Sequence, residues 1–378
     1  MNARIGVGIA GWGVAGRLMA DAVSLDPRFE LVGVADRDAA ARERAARDTT
    51  AAVVRDVEEL AALPAVGAVY LATPTRHHLE GVIVVARAGK HIVCEKPLAA
   101  DVETAQQAVD ATRAAGVVLI VGATHALDAP VRALRRLVTE ATLGQLLSVE
   151  SSCHTDWHKR RRTPEDLDLS SGNGLLLRQG AHQFDMLRLI CGGDARSVAG
   201  SLFGPGDPGH ELGFSAQIIF GGGTSASAYY SGNGGFDSRL SSWGVGETGT
   251  VDISPSWPLT DHFVLPGSGA PPNPAPMFGR TVATFERGGA QTTPRGLLVL
   301  DADGVSEIDV TAEPSGWAAV LDQLDRALTG EPSIAYSGEW GVATLELCLA
   351  VRRSAVTGGP VVLRHQVGLP ASSPQETR

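Results

Sequence analysis

Residues 5–16 read IGVGIAGWGVAG, a short apolar run followed by glycines at GxGxxG spacing. Apolar residues then recur at helical spacing within residues 18–23, until an Asp-Pro pair at 26–27 ends the pattern. A second apolar run, residues 31–35, ends on Asp36, twenty residues after the last glycine of the motif. This order of strand, glycine turn, helix, strand and acidic residue predicts a dinucleotide-binding βαβ unit.

Each glycine of the motif has its own role in this prediction. Gly11 makes the tight turn, Gly13 leaves room for a pyrophosphate, and Gly16 lets the helix pack close to the strand. Free N–H groups at the helix N-terminus attract the phosphates. Asp36 would accept hydrogen bonds from ribose hydroxyls, which favours NAD, whereas Arg37 would cover the 2′-phosphate of NADP. The candidate cofactor-binding residues of this segment are Gly11, Trp12, Gly13, Val14, Ala15, Gly16, Asp36 and Arg37.

Strand and helix patterns continue to alternate as far as residue 121. Apolar runs at 68–72, 91–95 and 117–121 are separated by helical patterns at 78–88 and 101–115. This alternation predicts an α/β Rossmann domain with a doubly wound parallel sheet, whose ligands bind at the carboxyl ends of the strands. Further candidate cofactor-binding residues at those ends are Thr73, Pro74, His78, Glu95, Lys96 and Pro97.

Beyond residue 125 the strand patterns follow one another without helices between them, which predicts a mostly antiparallel sheet. The strand patterns lie at 145–154, 197–203, 213–220 and 224–230, and helical patterns return at 183–191, 317–329 and 339–355. We therefore predict a Rossmann domain at 1–125, an α+β substrate-binding and oligomerisation domain at 126–367, and a disordered tail at 368–378.

Composition narrows the possible functions. The 378 residues include 32 Lys and Arg against 42 Asp and Glu, and a net charge of −10 argues against a nucleic-acid partner. An uninterrupted apolar run of about 18 residues is lacking, so no membrane span is predicted. The cysteines at 94, 153, 191 and 348 form no CxxC pair, which disfavours a zinc ribbon or a disulfide framework and favours the cytoplasm. GxSxG and Walker motifs are also lacking, which disfavours hydrolysis and phosphoryl transfer.

Three segments resemble the glucose-fructose oxidoreductase/inositol dehydrogenase family, written Gfo/Idh/MocA. They are ATPTRHH at 72–78, AGKHIVCEKPLA at 88–99 and GAHQFD at 180–185, in the order that this family shows. The resemblance implies a two-domain NAD(P)-dependent oxidoreductase acting on a small molecule, in which Lys96 contacts the reacting hydroxyl. It also implies a homo-oligomer, a dimer or a tetramer, because the open antiparallel sheet of that family commonly pairs between subunits.

The candidate catalytic residues are Lys96, His182 and Asp185. Because Lys96 precedes a proline, its backbone is biased toward extended angles, and partial burial would lower its pKa toward the range of acid–base catalysis. His182 has the side chain whose ordinary pKa lies nearest neutrality, so it suits a proton acceptor, and Asp185 would orient it or bind substrate. We expect His182 to face away from the buried side of its helix, because the apolar stripe there consists of Phe184, Leu187 and Cys191.

One position departs from the family pattern. Inositol dehydrogenase-like members carry Asp four residues before the histidine, where this chain has Arg178. A fixed cation in place of a hydroxyl acceptor weakens the case for a polyol substrate and for a Lys-Asp-His relay. It favours a substrate carboxylate, whose two oxygens match two donors of the guanidinium group.

A basic run at 159–162, KRRR, agrees with a carboxylated substrate, although a solvated loop or a subunit salt bridge also explains such runs. Segments at 155–168, 175–193, 230–239 and 337–350 resemble the phthalate dihydrodiol dehydrogenase branch, which oxidises the dicarboxylate 4,5-dihydro-4,5-dihydroxyphthalate. That resemblance implies arginine ligands for carboxylates, with Arg161 as first choice. The candidate substrate-binding residues are Arg160, Arg161, Arg162, Arg178, His154 and His158.

His154, Asp156 and His158 would face one way in an extended segment, but the segment offers no fourth ligand, so we predict no metal. The leading interpretation is a dehydrogenase of a carboxylated cis-dihydrodiol in aromatic-compound catabolism. Two alternatives stay open. One is a sugar, glycoside or inositol dehydrogenase, and the other is a non-catalytic NAD-binding sensor.

Overall fold

A computed structural model describes residues 4–122, 124–160, 167–204, 211–251, 272–330 and 337–369. By packing, the chain divides into two units. The first contains Met1–Ala123, Ser170–Gly172 and Trp317–Leu345, and the second contains Thr124–Leu169, Asn173–Gly316 and Glu346–Arg378. This division differs from the prediction of two domains continuous in sequence, because Trp317–Leu345 packs in the first unit, where the ring of Trp317 meets that of Tyr70 edge-on at 5.7 Å.

The first unit is built on a six-stranded parallel sheet with the order β3-β2-β1-β4-β5-β6. The strands are β1 (Ile5–Ala10), β2 (Phe29–Ala35), β3 (Ala52–Val54), β4 (Ala68–Leu71), β5 (His91–Glu95) and β6 (Leu119–Gly122). The helices between them are α1 (Val14–Leu25), α2 (Ala39–Asp48), α3 (Val57–Ala61), α4 (His78–Arg87) and α5 (Val102–Ala115). The predicted doubly wound Rossmann sheet is confirmed.

Strand register brings three chemically important segments to one edge of this sheet. Ala10 at the end of β1 pairs with Leu71 at the end of β4, and Leu71 pairs with Cys94 on β5. The glycine loop, Thr73 and Lys96 come directly after these positions. Because the strands are parallel, all three segments lie at the same carboxyl edge.

The second unit is built on a nine-stranded sheet with the order β14-β13-β12-β11-β7-β10-β9-β8-β15. Its strands are β7 (Leu146–His154), β8 (Ala195–Phe203), β9 (Gly213–Phe220), β10 (Ser225–Ser231), β11 (Arg280–Phe285), β12 (Gly288–Thr293), β13 (Gly296–Asp301), β14 (Gly304–Asp309) and β15 (Val361–Val362). Neighbours run antiparallel except β7 and β10, which are parallel. The prediction of a mostly antiparallel sheet is confirmed.

Helices cover one face of the second sheet. Helix α6 (Ala129–Glu140) packs against β12 and β13, and α7 (Ala181–Cys191) packs against β7 and β10. On the opposite face the large side chains of Leu147, Ile219 and Tyr229 are exposed. The remaining helices are α8 (Gly316–Thr329) and α9 (Gly338–Thr357). Among the residues described, no helix is long and apolar enough to cross a membrane.

The sequence patterns missed several elements of the second unit. Strands β11 to β14 were not predicted, since GGAQTT of β12 has too few apolar residues to show alternation. Helix α6 was missed although it has Pro130 in its first turn and buried apolar residues at helical spacing. The predicted tail begins two residues too early, because Leu369 donates a backbone hydrogen bond to Gly192 at 2.9 Å. The rest of that tail lies outside the described residues.

Candidate active site

The glycine loop after β1 has room for a ligand only at its middle glycine. Gly11 has a φ of +101°, and a Cβ there would lie 2.6 Å from the carbonyl oxygen of Ala72. A Cβ on Gly16 would lie 2.0 Å from the carbonyl oxygen of Gly11, so α1 packs against the loop backbone. By contrast, a Cβ on Gly13 would meet nothing within 4 Å. The open side of the loop is therefore at Gly13, and the role of that space in binding a pyrophosphate stays a prediction.

The Asp36 carboxylate is held beside this loop by two backbone donors. The N–H of Trp12 donates to Oδ2 at 2.8 Å, and the N–H of Asp38 donates to Oδ1 at 2.9 Å. The Trp12 ring itself is buried and donates from Nε1 to Asp48, so its side chain is part of the packing beneath the loop. Asp36 is thereby fixed at the end of β2, where the ribose of a dinucleotide is recognised.

Two further observations fit a dinucleotide at this edge. Helix α1 begins at Val14 with Gly13 as its N-cap and without a side-chain cap, so its first N–H groups lack helical partners. Within the described residues, the buried hydroxyl of Thr73 has no hydrogen-bond partner. The predicted contact of Arg37 with a 2′-phosphate stays a prediction, and its guanidinium group lies 3.9 Å from Glu80 in an exposed ion pair. The residues present therefore fit an NAD-type cofactor.

His78 differs from its predicted role as a direct cofactor ligand. It is fully buried, and its ring nitrogens lie 3.0 Å from the carbonyl oxygen of Pro97 and 2.8 Å from that of Thr73. Burial lowers the pKa of His78, whereas the two carbonyls favour its protonated form. The ring thus links the segment after β4 to the segment that carries Lys96, and we correct the prediction to a structural contact.

Lys96 follows β5 and is half-buried. Its N–H donates to the Glu95 carboxylate at 3.1 Å, and the same carboxylate accepts a hydrogen bond from the Tyr70 hydroxyl at 2.5 Å. Burial raises the pKa of Tyr70 far above its ordinary value, and the Glu95 charge adds to this effect, so the phenol stays a donor. Pro97 is joined to Lys96 by a cis peptide bond and is buried. Glu95 therefore positions the lysine backbone within the first unit.

His182 lies in α7, which continues directly from a π-helical turn, Leu176–Gly180. The expectation that His182 faces away from the core is wrong, because residues 181–190 are all buried and His182 is only 9% exposed. Its ring lies edge-on to that of His125 with the ring centroids 4.7 Å apart, and 5.5 Å from the centroid of Phe278. The amphipathic interpretation failed because the second sheet and its neighbouring segments enclose this helix.

Asp185 is fully buried and lies 3.9 Å from the equally buried guanidinium group of Arg188. Arg188 also donates to Gln366 at 3.1 Å. The sequence predicted that Asp185 orients His182 or binds substrate, and it did not predict this ion pair with Arg188. Asp185 has a buried counter-charge one helical turn away, which sequence reasoning missed although the i, i+3 spacing was visible.

A histidine–aspartate pair beside His182 was also missed. Nδ1 of His125 lies 2.9 Å from Oδ2 of Asp128, and both side chains are buried. The two residues belong to the segment THALD, which comes two residues after β6. The His and Asp three residues apart beyond a predicted parallel strand were a readable signal, because such strand ends carry ligand-binding residues.

The candidate substrate-binding residues are only partly brought together. Arg160 donates to Asp156 at 2.7 Å and lines a cavity of about 170 Å³ in the second unit with Asp237, Arg239 and Glu247. Arg178 lies in the π-helical turn and donates to Asn173 at 3.1 Å. Arg161 and Arg162 lie outside the described residues.

His154 and His158 do not form, with Asp156, the extended array that their alternate spacing suggested. Strand β7 ends at His154, and Asp156 begins a 3₁₀ turn, Trp157–Lys159. The ring of His154 contacts those of Tyr229 and Phe236, and burial lowers its pKa. His158 bonds the carbonyl oxygen of Glu211. Among the described residues, no group of three or more His, Cys, Asp or Glu side chains is arranged to hold a metal ion.

Family models match both units of the chain. The model of the oxidoreductase family GFO/IDH/MocA, with an NAD-binding Rossmann fold, matches residues 5–123, and that of the GFO/IDH/MocA C-terminal domain matches residues 131–252. The chain belongs to the GFO/IDH/MocA family. It is accordingly an NAD-binding oxidoreductase, and the glycine loop and Asp36 lie within the part of the chain that matches the NAD-binding Rossmann model.

Three similar proteins span most of this GFO/IDH/MocA chain. The 1-carboxy-3-chloro-3,4-dihydroxycyclohexa-1,5-diene dehydrogenase of Comamonas testosteroni is 28% identical over 91% of this chain and 93% of its own. The 1,5-anhydro-D-fructose reductase of Ensifer adhaerens is 31% identical over 81% and 82%. A crystal structure of a "putative dehydrogenase" from Bordetella bronchiseptica RB50 is 30% identical, with a TM-score of 0.88, and covers 96% of this chain and 100% of that one.

Replacing Asp36 by Asn is expected to weaken binding of NADH to this family member by roughly tenfold to 100-fold, because a charged acceptor for ribose hydroxyls is lost. The affinity for NADPH should stay equal or rise, since the repulsion of a 2′-phosphate is removed beside Arg37. Fluorescence titration of both nucleotides measures the two dissociation constants, and Asp48→Asn serves as the matched control. An unchanged ratio of the two constants would assign cofactor choice to other residues.

Proposed function

We propose that this oxidoreductase dehydrogenates a carboxylated cis-dihydrodiol, such as 4,5-dihydro-4,5-dihydroxyphthalate, to the aromatic diol. The observation that carries the proposal is the similarity, over nearly the whole chain, to the Comamonas testosteroni enzyme, whose name describes a carboxylated dihydroxycyclohexadiene. Arg178 in place of the family aspartate and the basic run at 159–162 support a substrate with a negative charge.

In the proposed reaction the protein handles the hydroxyl proton. NAD, when bound, accepts the hydride of the hydroxyl-bearing carbon. Lys96 donates a hydrogen bond to the hydroxyl oxygen and stabilises the negative charge that develops there. His182 takes the proton on a ring nitrogen as the C–O bond becomes a carbonyl. The ketone then tautomerises to the aromatic diol, and the gain of aromaticity favours the overall oxidation.

One other function competes with this proposal. The similarity to an anhydrofructose reductase favours a sugar, glycoside or inositol dehydrogenase as the second candidate. The non-catalytic NAD-binding sensor that the sequence left open is set aside, because the chain belongs to an oxidoreductase family. The proposal includes four finer features. They are a role in aromatic catabolism, use of NADP, a cytoplasmic location and a homo-oligomeric state. Light scattering on the purified protein measures the oligomeric state.

A substrate panel followed through the near-ultraviolet absorbance of NADH separates these functions. We expect rapid NADH formation with a dihydrodiol carboxylate and slow formation with inositol or free sugars. Fast turnover of a sugar with none of the dihydrodiol contradicts the substrate proposal. Normal NAD binding without turnover of any hydroxyl compound in the panel contradicts both dehydrogenase candidates.

Replacing Arg161 by Ala is expected to raise the KM for the carboxylated substrate by roughly tenfold to 100-fold, because a charge-assisted hydrogen bond to the carboxylate is lost. Arg160→Ala is the matched control, since Arg160 already pairs with Asp156 and should affect KM less. Affinity for NADH should stay unchanged in both variants. An Arg161→Ala enzyme with the KM of the wild type excludes this arginine as a carboxylate ligand.

A further inference from the structure

The buried side chains next to His182 form a connected cluster. The short 3₁₀ segment Thr124–Leu127 places the ring of His125 against that of His182, at a centroid distance of 4.7 Å, and against that of Phe278, at 4.8 Å. Nδ1 of His125 in turn lies 2.9 Å from Oδ2 of Asp128. His125 therefore contacts both His182, the proposed proton acceptor, and the buried carboxylate of Asp128.

Both carboxylate oxygens of Asp128 accept hydrogen bonds. Its second oxygen, Oδ1, accepts the N–H of Gly316 at 3.0 Å, and the side chain is 2% exposed. An ionised carboxylate only accepts hydrogen bonds, so opposite an ionised Asp128 the Nδ1 of His125 is the donor of this bond. The pKa of Asp128 is raised overall, because its burial outweighs the bond from His125, the N–H of Gly316 and the charge of Arg132, all of which lower it.

A proton taken up by His182 would create a buried cation unless an anion compensates it. With neutral histidines and an ionised Asp128, the cluster carries one negative charge, and uptake of one proton makes it neutral. Proton uptake by this cluster therefore removes a buried net charge. The positive charge of a protonated His182 requires a nearby anion, and Asp128, which is hydrogen-bonded to His125, supplies it.

Several other titratable groups of this region have partners of their own. On α7 Asp185 lies beside Arg188, on α6 Arg136 pairs with Glu313, and the hydroxyl of Tyr230 on β10 bonds Thr155. The titratable and charged groups on α7 and on the elements packed against it are His125, Asp128, Arg132, Arg135, Arg136, Glu140, Glu150, Cys153, His154, Arg178, Asp185, Arg188, Cys191, Tyr229 and Tyr230.

We propose that His125 and Asp128 are positioning residues that raise the proton affinity of His182, with Asp128 as the compensating anion and His125 as the neutral ring between them. The assignment rests on the proposed function in so far as His182 receives the substrate proton. In that step the O–H proton passes to His182 while the C–H electron pair leaves as hydride to NAD. His125 and Asp128 exchange no atom with the substrate.

The first test needs neither substrate nor cofactor. Imidazole resonances of the whole protein are titrated by NMR, with His182→Gln and His125→Gln variants for assignment. In the wild type we expect His182 to titrate at or above its ordinary pKa despite its burial, and the Nδ1 proton of His125 to give a downfield resonance. A His182 that remains neutral down to about pH 5, as burial alone dictates, overturns the proposal.

Asp128→Asn should lower the pKa of His182 by about one unit, since an opposite charge nearby is removed. Because Asp128 is also the N-cap of α6, the matched control is Asp101→Asn at the N-cap of α5, which should leave the titration unchanged. An unshifted His182 in a folded Asp128→Asn protein contradicts the proposal, and the wild-type titration decides if that variant does not fold.

Activity gives a second, separate readout. A base must be neutral to accept a proton, so activity is lost below the pKa of His182. In Asp128→Asn we expect this acidic limb to move to lower pH and the limiting kcat to fall about tenfold, because the base is weaker. If the wild type dehydrogenates no dihydrodiol yet the NMR shifts occur, the proposed function fails and the positioning pair stands. If the wild type dehydrogenates the dihydrodiol but Asp128→Asn leaves the titration of His182 unchanged, the proposed function stands and the positioning role of the pair is contradicted.

Discussion

Lys96→Met is expected to lower kcat for the dihydrodiol by about 1000-fold and to leave the affinity for NADH within about twofold of the wild type. Methionine keeps the length and apolar stem of lysine but removes the ammonium group that stabilises charge on the hydroxyl oxygen. The N–H of residue 96 can still donate to Glu95, so the backbone at the end of β5 should keep its position. Steady-state kinetics and nucleotide titration measure the two quantities.

Lys90→Met is the matched control for this prediction. Lys90 comes between α4 and β5 at the opposite end of the same strand, and its backbone N–H donates to Val85. We expect wild-type kcat in this variant, because the amino edge of a parallel sheet does not carry the ligand site. A Lys96→Met enzyme with full activity would remove the lysine from the mechanism, and loss of activity in both variants would indicate a general effect of charge.

A second large effect is expected from Gly16→Ala, which should lower the free energy of unfolding by about 3 kcal/mol. In an open helix position alanine stabilises relative to glycine, so a loss of stability here would have to come from the contact with Gly11. A Cβ at residue 16 meets the carbonyl oxygen of Gly11 at 2.0 Å, and backbone atoms cannot move aside as a flexible side chain does. Thermal and urea unfolding measure the loss.

Gly13→Ala should produce the opposite combination. Gly13 has a φ of −79°, which alanine adopts without strain, and its Cβ would enter open space, so stability should stay unchanged. Binding of NADH should weaken at least tenfold, because the methyl group occupies the space left for the pyrophosphate. Equal NADH affinity in Gly13→Ala and the wild type would show that the phosphates bind elsewhere.

The Rossmann unit was predictable because its signals are local. The segment from Gly11 to Asp36 contains strand, turn, helix and acid in one stretch, and the apolar runs of β4 and β5 are buried on both faces. Lys96 and His78 stand at strand ends that such runs identify. The contact of His78 with the carbonyl of Pro97 could not be predicted, since the two residues lie 19 apart in the sequence and follow neighbouring strands.

The second unit was harder to predict because its contacts are long-range. Helix α7 looks amphipathic in sequence, but burial on every side depends on β7, β10 and a loop with Phe278 that comes much later in the chain. The partner of His125 is only three residues away, whereas its contact with His182 joins distant segments. Arg178 was singled out as a departure from the family pattern, yet its place in a π-helical turn has no signal in residue type.

The His78 imidazole gives two functional segments a common point of attachment. One of its nitrogens meets the carbonyl that precedes Pro74 and the other meets the carbonyl of Pro97, directly after the catalytic candidate Lys96. A shift of either loop is thereby passed to the other through a single rigid ring. The segments that carry Thr73 and Lys96 are thus joined within the first unit, so substitutions at this ring should change the cofactor dissociation constant and kcat together.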